Sequence, residues 1–433
     1  MSDRVDGMLS EYTYPPTQNH KWGSAMLSSP GLPIGRKARN PEQKISPTQA
    51  SLWVSSLPLS SPGPDHNDDL CRWPSHLPTP IPIPGRCPLT FILSQSAKCL
   101  MFCFFGQGRE ILAYLLEHPA VVSSSDRLKD SPETRVSSAG RSLLGRFVYV
   151  FQREYATVDP DIVQLAGTDE ATTCVGLVIR SRNSGMTSVS HMDFPGVVSN
   201  GLEQMMSSIV VNDNPGDTAF DVHLIGGFDD RPKKHSSDEV TSERKQKKEG
   251  FSLPLCSKMV EALQDSQWKF HLQTLCVLKH NTKIDSMGNA CPVISGILVD
   301  TSSGSVMPAS FDRSSRGPDE IVRRIRLTVC SEDPKWKGKL LETYDTSRDR
   351  FEIVPFTWVP DWRLYALSLQ ELSDSEYLLG CSTSPFAEGP DFVENERRKW
   401  DYLIKNPDWR YTFVNKQPRI FQRTEDGGWL RCR

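Results

Sequence analysis

Several things are scarce in this sequence, and each scarcity closes a class of function. The 433 residues carry 50 Lys and Arg against 53 Asp and Glu, a net charge of −3. There is no basic field to attract nucleic acid and no acidic tail. No Cys-x-x-Cys and no His-x-x-x-His occurs, so the chain lacks the spacing of a zinc site, and neither metal nor organic cofactor is expected. Long apolar runs are missing: the most apolar stretch, residues 89–105, is short, is interrupted by Gln95 and Lys98, and follows a proline run. A membrane span is not expected from it. Met1 to Ser10 is polar, without the apolar segment of a secretory leader. The 11 cysteines are odd in number and scattered, which points to free thiols in a reducing compartment such as the cytoplasm. No repeat of 20–50 residues is visible, which excludes solenoids and propellers.

Proline, by contrast, is concentrated. Residues 1–107 hold 15 of the 32 prolines, including Pro-Thr-Pro-Ile-Pro-Ile-Pro at 78–84, and no helical or strand period survives there. This segment reads as a disordered extension with polyproline patches. Residues 108–433 read as one folded domain. A short helix over Glu110–His118 is expected to stop at Pro119. A helix over Gly201–Val211 has Asn200 as a cap, strands are expected at 220–227 and 269–278, and a hairpin at 293–311. Pro318 opens a helix, and residues 362–379 and 390–404 read as two further amphipathic helices. Residues 229–250 form a charged loop, with a weak resemblance to a nuclear-import patch. Strands come in hairpins with helices between them, which predicts an α+β fold with a largely antiparallel β-sandwich core flanked by α-helices.

The chemistry is concentrated between Gly167 and His191. Cys174 is followed by the apolar run Val175-Gly176-Leu177-Val178-Ile179, a buried strand. Turn residues Ser181 to Gly185 lead into a second strand carrying His191. Pairing Arg180 with Gly185 gives an index sum of 365, which places Cys174 directly opposite His191. Their Cβ atoms would then be roughly 4.5–5.5 Å apart. A thiol beside an imidazole can pass its proton to it and become a nucleophile. His223 lies on a strand face away from the apolar set and reads as a structural histidine.

The segment Asp-Glu-Ala-Thr-Thr-Cys-Val-Gly-Leu-Val-Ile-Arg (169–180), followed by His-Met-Asp (191–193), resembles the protein N-terminal asparagine amidohydrolase family. Further matches fall in the same order at 148–154, 221–228, 310–320, 382–388 and 425–429, covering residues 108–433. The resemblance implies a cysteine-dependent hydrolase that converts an N-terminal asparagine to aspartate and releases ammonia. It implies substrates that are proteins or peptides with a free N-terminal Asn, feeding the arginylation branch of an N-degron pathway. Cys174 takes the place of the family's nucleophile. The Cys-to-His spacing also resembles the chemoreceptor glutamine deamidases, whose third catalytic residue falls on Thr168. Backbone N–H groups at Thr172 to Cys174 are candidate oxyanion donors. Asp169, Glu170 and Asp193 are candidates for binding the substrate's α-ammonium. Ser382-Thr383-Ser384-Pro385 is a rigid polar turn at the pocket's edge. The protein is expected to act as a monomer. Two alternatives stay open, a deamidase of internal glutamine or asparagine and a non-catalytic binder of protein N-termini.

Overall fold

The structure, a computed structural model, describes residues 90–95, 98–103, 107–137, 145–210, 218–232, 249–330 and 333–432. All of these fall in one compact unit. Most of the segment read as a disordered extension lies outside the described residues, as does most of the charged loop. Inside it, Thr90–Gln95 and Lys98–Cys103 form a hairpin, the first strand of which runs parallel to Lys269–Leu278. No helix of the described residues is long and apolar enough to cross a membrane. Cysteines with described side chains are all free.

The fold is α+β. An eight-stranded sheet has Val175–Ser181 near its centre, between Thr187–Met192 and Ala219–Phe228. A five-stranded sheet contains Leu165–Thr168 beside Ile297–Asp300. Strand alternation assigns the two faces of the larger sheet. Val175, Leu177 and Ile179 point to one side, where they pack with Leu112, Leu202, Met205 and Met259 of the helices Gly108–Glu117, Val198–Val210 and Ser252–Asp265. Val178, Val189 and Ile225 point to the other, against Ala166, Ile297 and Val299 of the smaller sheet. Each such aliphatic side chain contributes about 1.5–3 kcal/mol on leaving water. The layers are thus helices, large sheet, small sheet. Antiparallel pairs outnumber parallel ones, although the adjacent strands Ala219–Phe228 and Lys269–Leu278 run parallel.

Burial on both faces explains why Val175–Ile179 is apolar without alternation. Gly176 is the residue facing the small sheet there, and a Cβ on it would lie 2.9 Å from Ile297 Cδ1. A side chain at this position would displace the tip of Ile297, which fills the space between the two sheets.

The hairpin register departs from expectation. Val175 pairs with Met192 and Arg180 with Thr187, an index sum of 367. His191 therefore faces Gly176 rather than Cys174. The four-residue loop is retained but starts one residue later, because Ser181 closes it. The buried Ser181 hydroxyl accepts from the N–H groups of Asn183 and Ser184, both at 3.2 Å, and Gly185 takes the left-handed conformation at φ +74°. A shift of two in the sum preserves the faces. His191 still points toward the small sheet, one diagonal step from the Cys174 position.

Three helix expectations are corrected. Pro119 starts a second helix, Pro119–Lys129, since proline is tolerated where no N–H is needed. Asn200 lies inside Val198–Val210, and its side chain donates to the Gly338 carbonyl at 2.9 Å instead of capping. Residues 362–379 are two helices, Trp362–Gln370 and Asp374–Cys381, the second started by a capping box of Ser373 and Glu376.

Ser181→Ala leaves two turn N–H groups without their acceptor. It is expected to destabilise the protein by about 1–3 kcal/mol, read as a lower urea midpoint at unchanged slope. An unchanged midpoint would show that the hydroxyl does not fix the turn.

Candidate active site

The chain crosses from the small sheet to the large one between Thr168 and Val175. Thr168 ends its strand, Glu170 adopts φ +61°, and Cys174 immediately precedes the central strand of the large sheet. The crossing is pinned along its length. Ala171 N–H donates to the Ser295 carbonyl at 2.8 Å, and Phe228 N–H to the Thr172 carbonyl at 3.2 Å. Thr172 N–H donates to the Glu170 carbonyl at 3.1 Å, so this amide is already engaged within the loop. Gly226, at φ +123°, lies under Cys174, and a Cβ there would sit 2.6 Å from the Cys174 carbonyl oxygen.

Across the gap between the sheets, Thr168 Oγ1 lies 2.7 Å from His191 Nδ1. The two are brought together from opposite layers. The other ring nitrogen, His191 Nε2, is buried and has no hydrogen-bond partner. An unsatisfied buried polar atom is costly and calls for a reason. Burial pulls the imidazole down to about 4, against the charges of Asp193, Glu170 and Glu154. Burial also pushes the Cys174 thiol well above its ordinary range, and the Asp193 and Glu388 carboxylates add to this. At neutral pH the resting pair is thiol and neutral imidazole, not thiolate and imidazolium.

The three candidate carboxylates all have guanidinium partners. Asp193 is held by Arg153, with Nη2–Oδ2 at 2.8 Å, and by Gln152. Asp169 accepts from Tyr149 Oη at 2.6 Å, Phe311 N–H at 2.8 Å and Arg316 Nη2 at 3.0 Å. Burial and the neighbouring Glu170 push the Asp169 carboxyl up to about 6. Glu170 accepts from Arg316 Nη1 at 2.6 Å and from Arg324 Nη2 at 3.0 Å. Burial works against its charge, yet Arg324 and Arg316 hold it below the ordinary range.

Sequence reasoning missed two features. Arg316 bonds Asp169, Glu170 and Asp391 together, from a residue about 150 positions downstream. The segment 382–388 packs against the two residues before the cysteine: Ser384 Oγ donates to Thr172 Oγ1 at 3.0 Å, and Thr383 Oγ1 lies 3.4 Å from Thr173 Oγ1. Glu388 at the end of that segment carries charge close enough to act on the Cys174 thiol. The polar turn was legible; the carboxylate following it was not. His223 lies away from this site, with Nδ1 3.1 Å from Thr274 Oγ1.

Residues 133–431 match the family model described as protein N-terminal asparagine amidohydrolase. A protein of that name from Arabidopsis thaliana is 51% identical over 331 residues, 76% of this chain and 94% of its own length. Proteins of the same name from Homo sapiens and Sus scrofa are 28% and 29% identical, over 319 and 316 residues, 90% of each relative's length.

Arg316→Met removes the shared cation and leaves the buried Asp169 carboxylate without a cationic partner, while Glu170 keeps Arg324. The expected cost is about 3–5 kcal/mol, measured by urea unfolding. A loss below 1 kcal/mol would mean that Arg324 alone sustains the crossing.

Proposed function

The chain belongs to the protein N-terminal asparagine amidohydrolase family, and from that membership we propose that it hydrolyses the side-chain amide of an N-terminal asparagine with Cys174 as nucleophile. The observation that carries this reading is the buried His191, anchored on Thr168 through Nδ1 while Nε2 stays unpartnered on the sheet face toward which Cys174 continues the strand. An imidazole held by one nitrogen with the other left open is built to exchange a proton.

The steps follow from the resting charges. The Cys174 thiol is protonated and His191 neutral, so attack and proton transfer occur together. With Nδ1–H donating to Thr168 Oγ1, Nε2 presents its lone pair. As Sγ bonds to the carboxamide carbon, Nε2 takes the thiol proton. The imidazolium is stabilised by the carboxylates of Asp193, Glu170 and Glu154, whose charges favour its protonated form. The N–H groups of Thr173 and Cys174 supply the oxyanion donors, since that of Thr172 is engaged. The intermediate collapses as Nε2 returns its proton to the leaving nitrogen, and ammonia departs. Water then attacks the thioester with His191 again as base. The side chain leaves as a carboxylate and the thiol is restored.

In this reading Asp169, Glu170 and Asp193 support the site through their arginine partners. Residues 108–433 carry the catalytic machinery in this reading, and the hairpin of residues 90–95 and 98–103 extends the same large sheet. The product, a chain beginning with aspartate, is a substrate for arginylation and hence for N-degron turnover.

Two outcomes test the proposal. Cys174→Ala is expected to lower kcat by about 1,000-fold or more on a peptide beginning with Asn, followed by mass spectrometry of the 1 Da shift, with circular dichroism unchanged. Activity within tenfold of wild type would refute the nucleophile. Peptides bearing N-acetyl-Asn or internal Asn are expected to be inert, and N-terminal Gln to react slowly because its extra methylene displaces the carbonyl from the oxyanion donors. Equal rates on acetylated and free peptides would point to an internal deamidase instead.

A further inference from the structure

Reading a chain terminus requires a group that distinguishes an α-ammonium from an amide nitrogen, and that group must lie within a few bonds' reach of the scissile carboxamide. Carboxylates near Cys174 differ sharply in what they already hold. Asp193 is saturated by Arg153 and Gln152. Asp169 and Glu170 share Arg316, and Glu170 has Arg324 as well. A buried carboxylate already matched to guanidinium groups gains little from a second cation.

Glu388 is different. Its carboxylate accepts from the Ser382 hydroxyl and lies 3.5 Å from Ser384 Oγ, and among the described residues no cation is paired with it. Its position is fixed by a tight turn. The Ser382 hydroxyl accepts from Ser384 N–H at 2.9 Å, and Ala387 N–H donates to the Ser384 carbonyl at 2.9 Å. Ser384 in turn bonds Thr172, two residues before Cys174. The acid is therefore held against the cysteine segment by hydroxyl groups alone, with its charge uncompensated. Burial pushes its carboxyl up to about 7, partly opposed by the Ser382 hydroxyl and reinforced by Glu170. An uncompensated carboxylate half out of water favours the arrival of a cation.

We propose that Glu388 receives the α-ammonium of the substrate and so confines the reaction to asparagine at a chain terminus. This assignment rests on the reading of Cys174 as nucleophile only for its location; the ionic contact itself is a matter of binding. The seven residues 382–388 then have a joint purpose. Thr383 and Ser384 dock the turn onto Thr173 and Thr172, Ser382 holds Glu388, and Glu388 projects the charge that selects the ligand.

The test uses binding, so that it stands apart from turnover. On the full-length Cys174→Ala background, titration calorimetry measures Kd for a free-amine Asn peptide and for its desamino analogue, which keeps the carboxamide but has hydrogen in place of the ammonium. Adding E388Q is expected to weaken the free-amine peptide by about 30-fold or more and to change the analogue by less than threefold. Affinity for the free-amine peptide is expected to fall as pH drops through about 7, where Glu388 gains its proton, and E388Q should abolish that dependence. Unchanged Kd for the free-amine peptide in E388Q overturns the assignment. Should E388Q remove binding of both peptides, E388D decides: recovery of the free-amine preference upholds the role of the charge, and its absence overturns it. Failure of the wild type to turn over any Asn peptide, with these affinities as expected, would count against the Cys174 reading alone.

Discussion

Arg316 is the cation on which the geometry around Cys174 depends. Its guanidinium joins Asp169, Glu170 and Asp391, so one side chain fixes both acids at the start of the crossing between the sheets. Glu170 can hold φ +61° because its side chain is clamped by Arg316 and Arg324 while the backbone turns. That turn carries the chain from Thr168 in the small sheet to Val175 in the large one. Cys174 is thus presented at the edge of one layer while Thr168 reaches across from the other to anchor His191. The blocks at 169–180 and 310–320 are two halves of one ionic contact, which accounts for their joint presence in the sequence.

A second buried network supports the opposite flank. Glu154 is paired with both Arg323 and Arg326 inside the protein. Its neighbour Arg153, at φ +62°, donates its N–H to the His191 carbonyl at 2.7 Å and its guanidinium to Asp193. The histidine strand is therefore braced from its main chain and from the residue two positions on. Both networks place negative charge around His191 without a direct bond to it, and burial still outweighs them, leaving the ring neutral.

Much of the fold was legible. The unbroken apolar run after Cys174 announced a strand buried on both faces, and the turn residues announced the hairpin. The register was missed by one residue per strand, because index arithmetic does not see that the Ser181 hydroxyl caps the turn. The reading of 362–379 as one helix follows the apolar period alone, which does not register the capping box of Ser373 and Glu376 that starts the second helix. Thr168, named through the resemblance, and His191, named from its strand, have side chains 2.7 Å apart. The standing of the acids was not legible, since Arg153 lies 40 residues from Asp193, Arg316 and Arg324 lie about 150 residues from Asp169 and Glu170, and no local pattern says which carboxylate is already matched.

The contact between Thr172 and Ser384 spans 212 residues of chain. During synthesis at ordinary rates, the cysteine segment emerges roughly 10–40 s before the segment that covers it. Until then the contacts of this turn with Thr172 and Thr173, the two residues before Cys174, cannot form. The nascent chain therefore passes through an interval in which the cysteine segment lacks the hydroxyl partners that hold Thr172 and Thr173 in the finished protein. Completion of the C-terminal region closes the interval, so the segment that carries Cys174 acquires its full set of partners only when nearly the whole chain has been made.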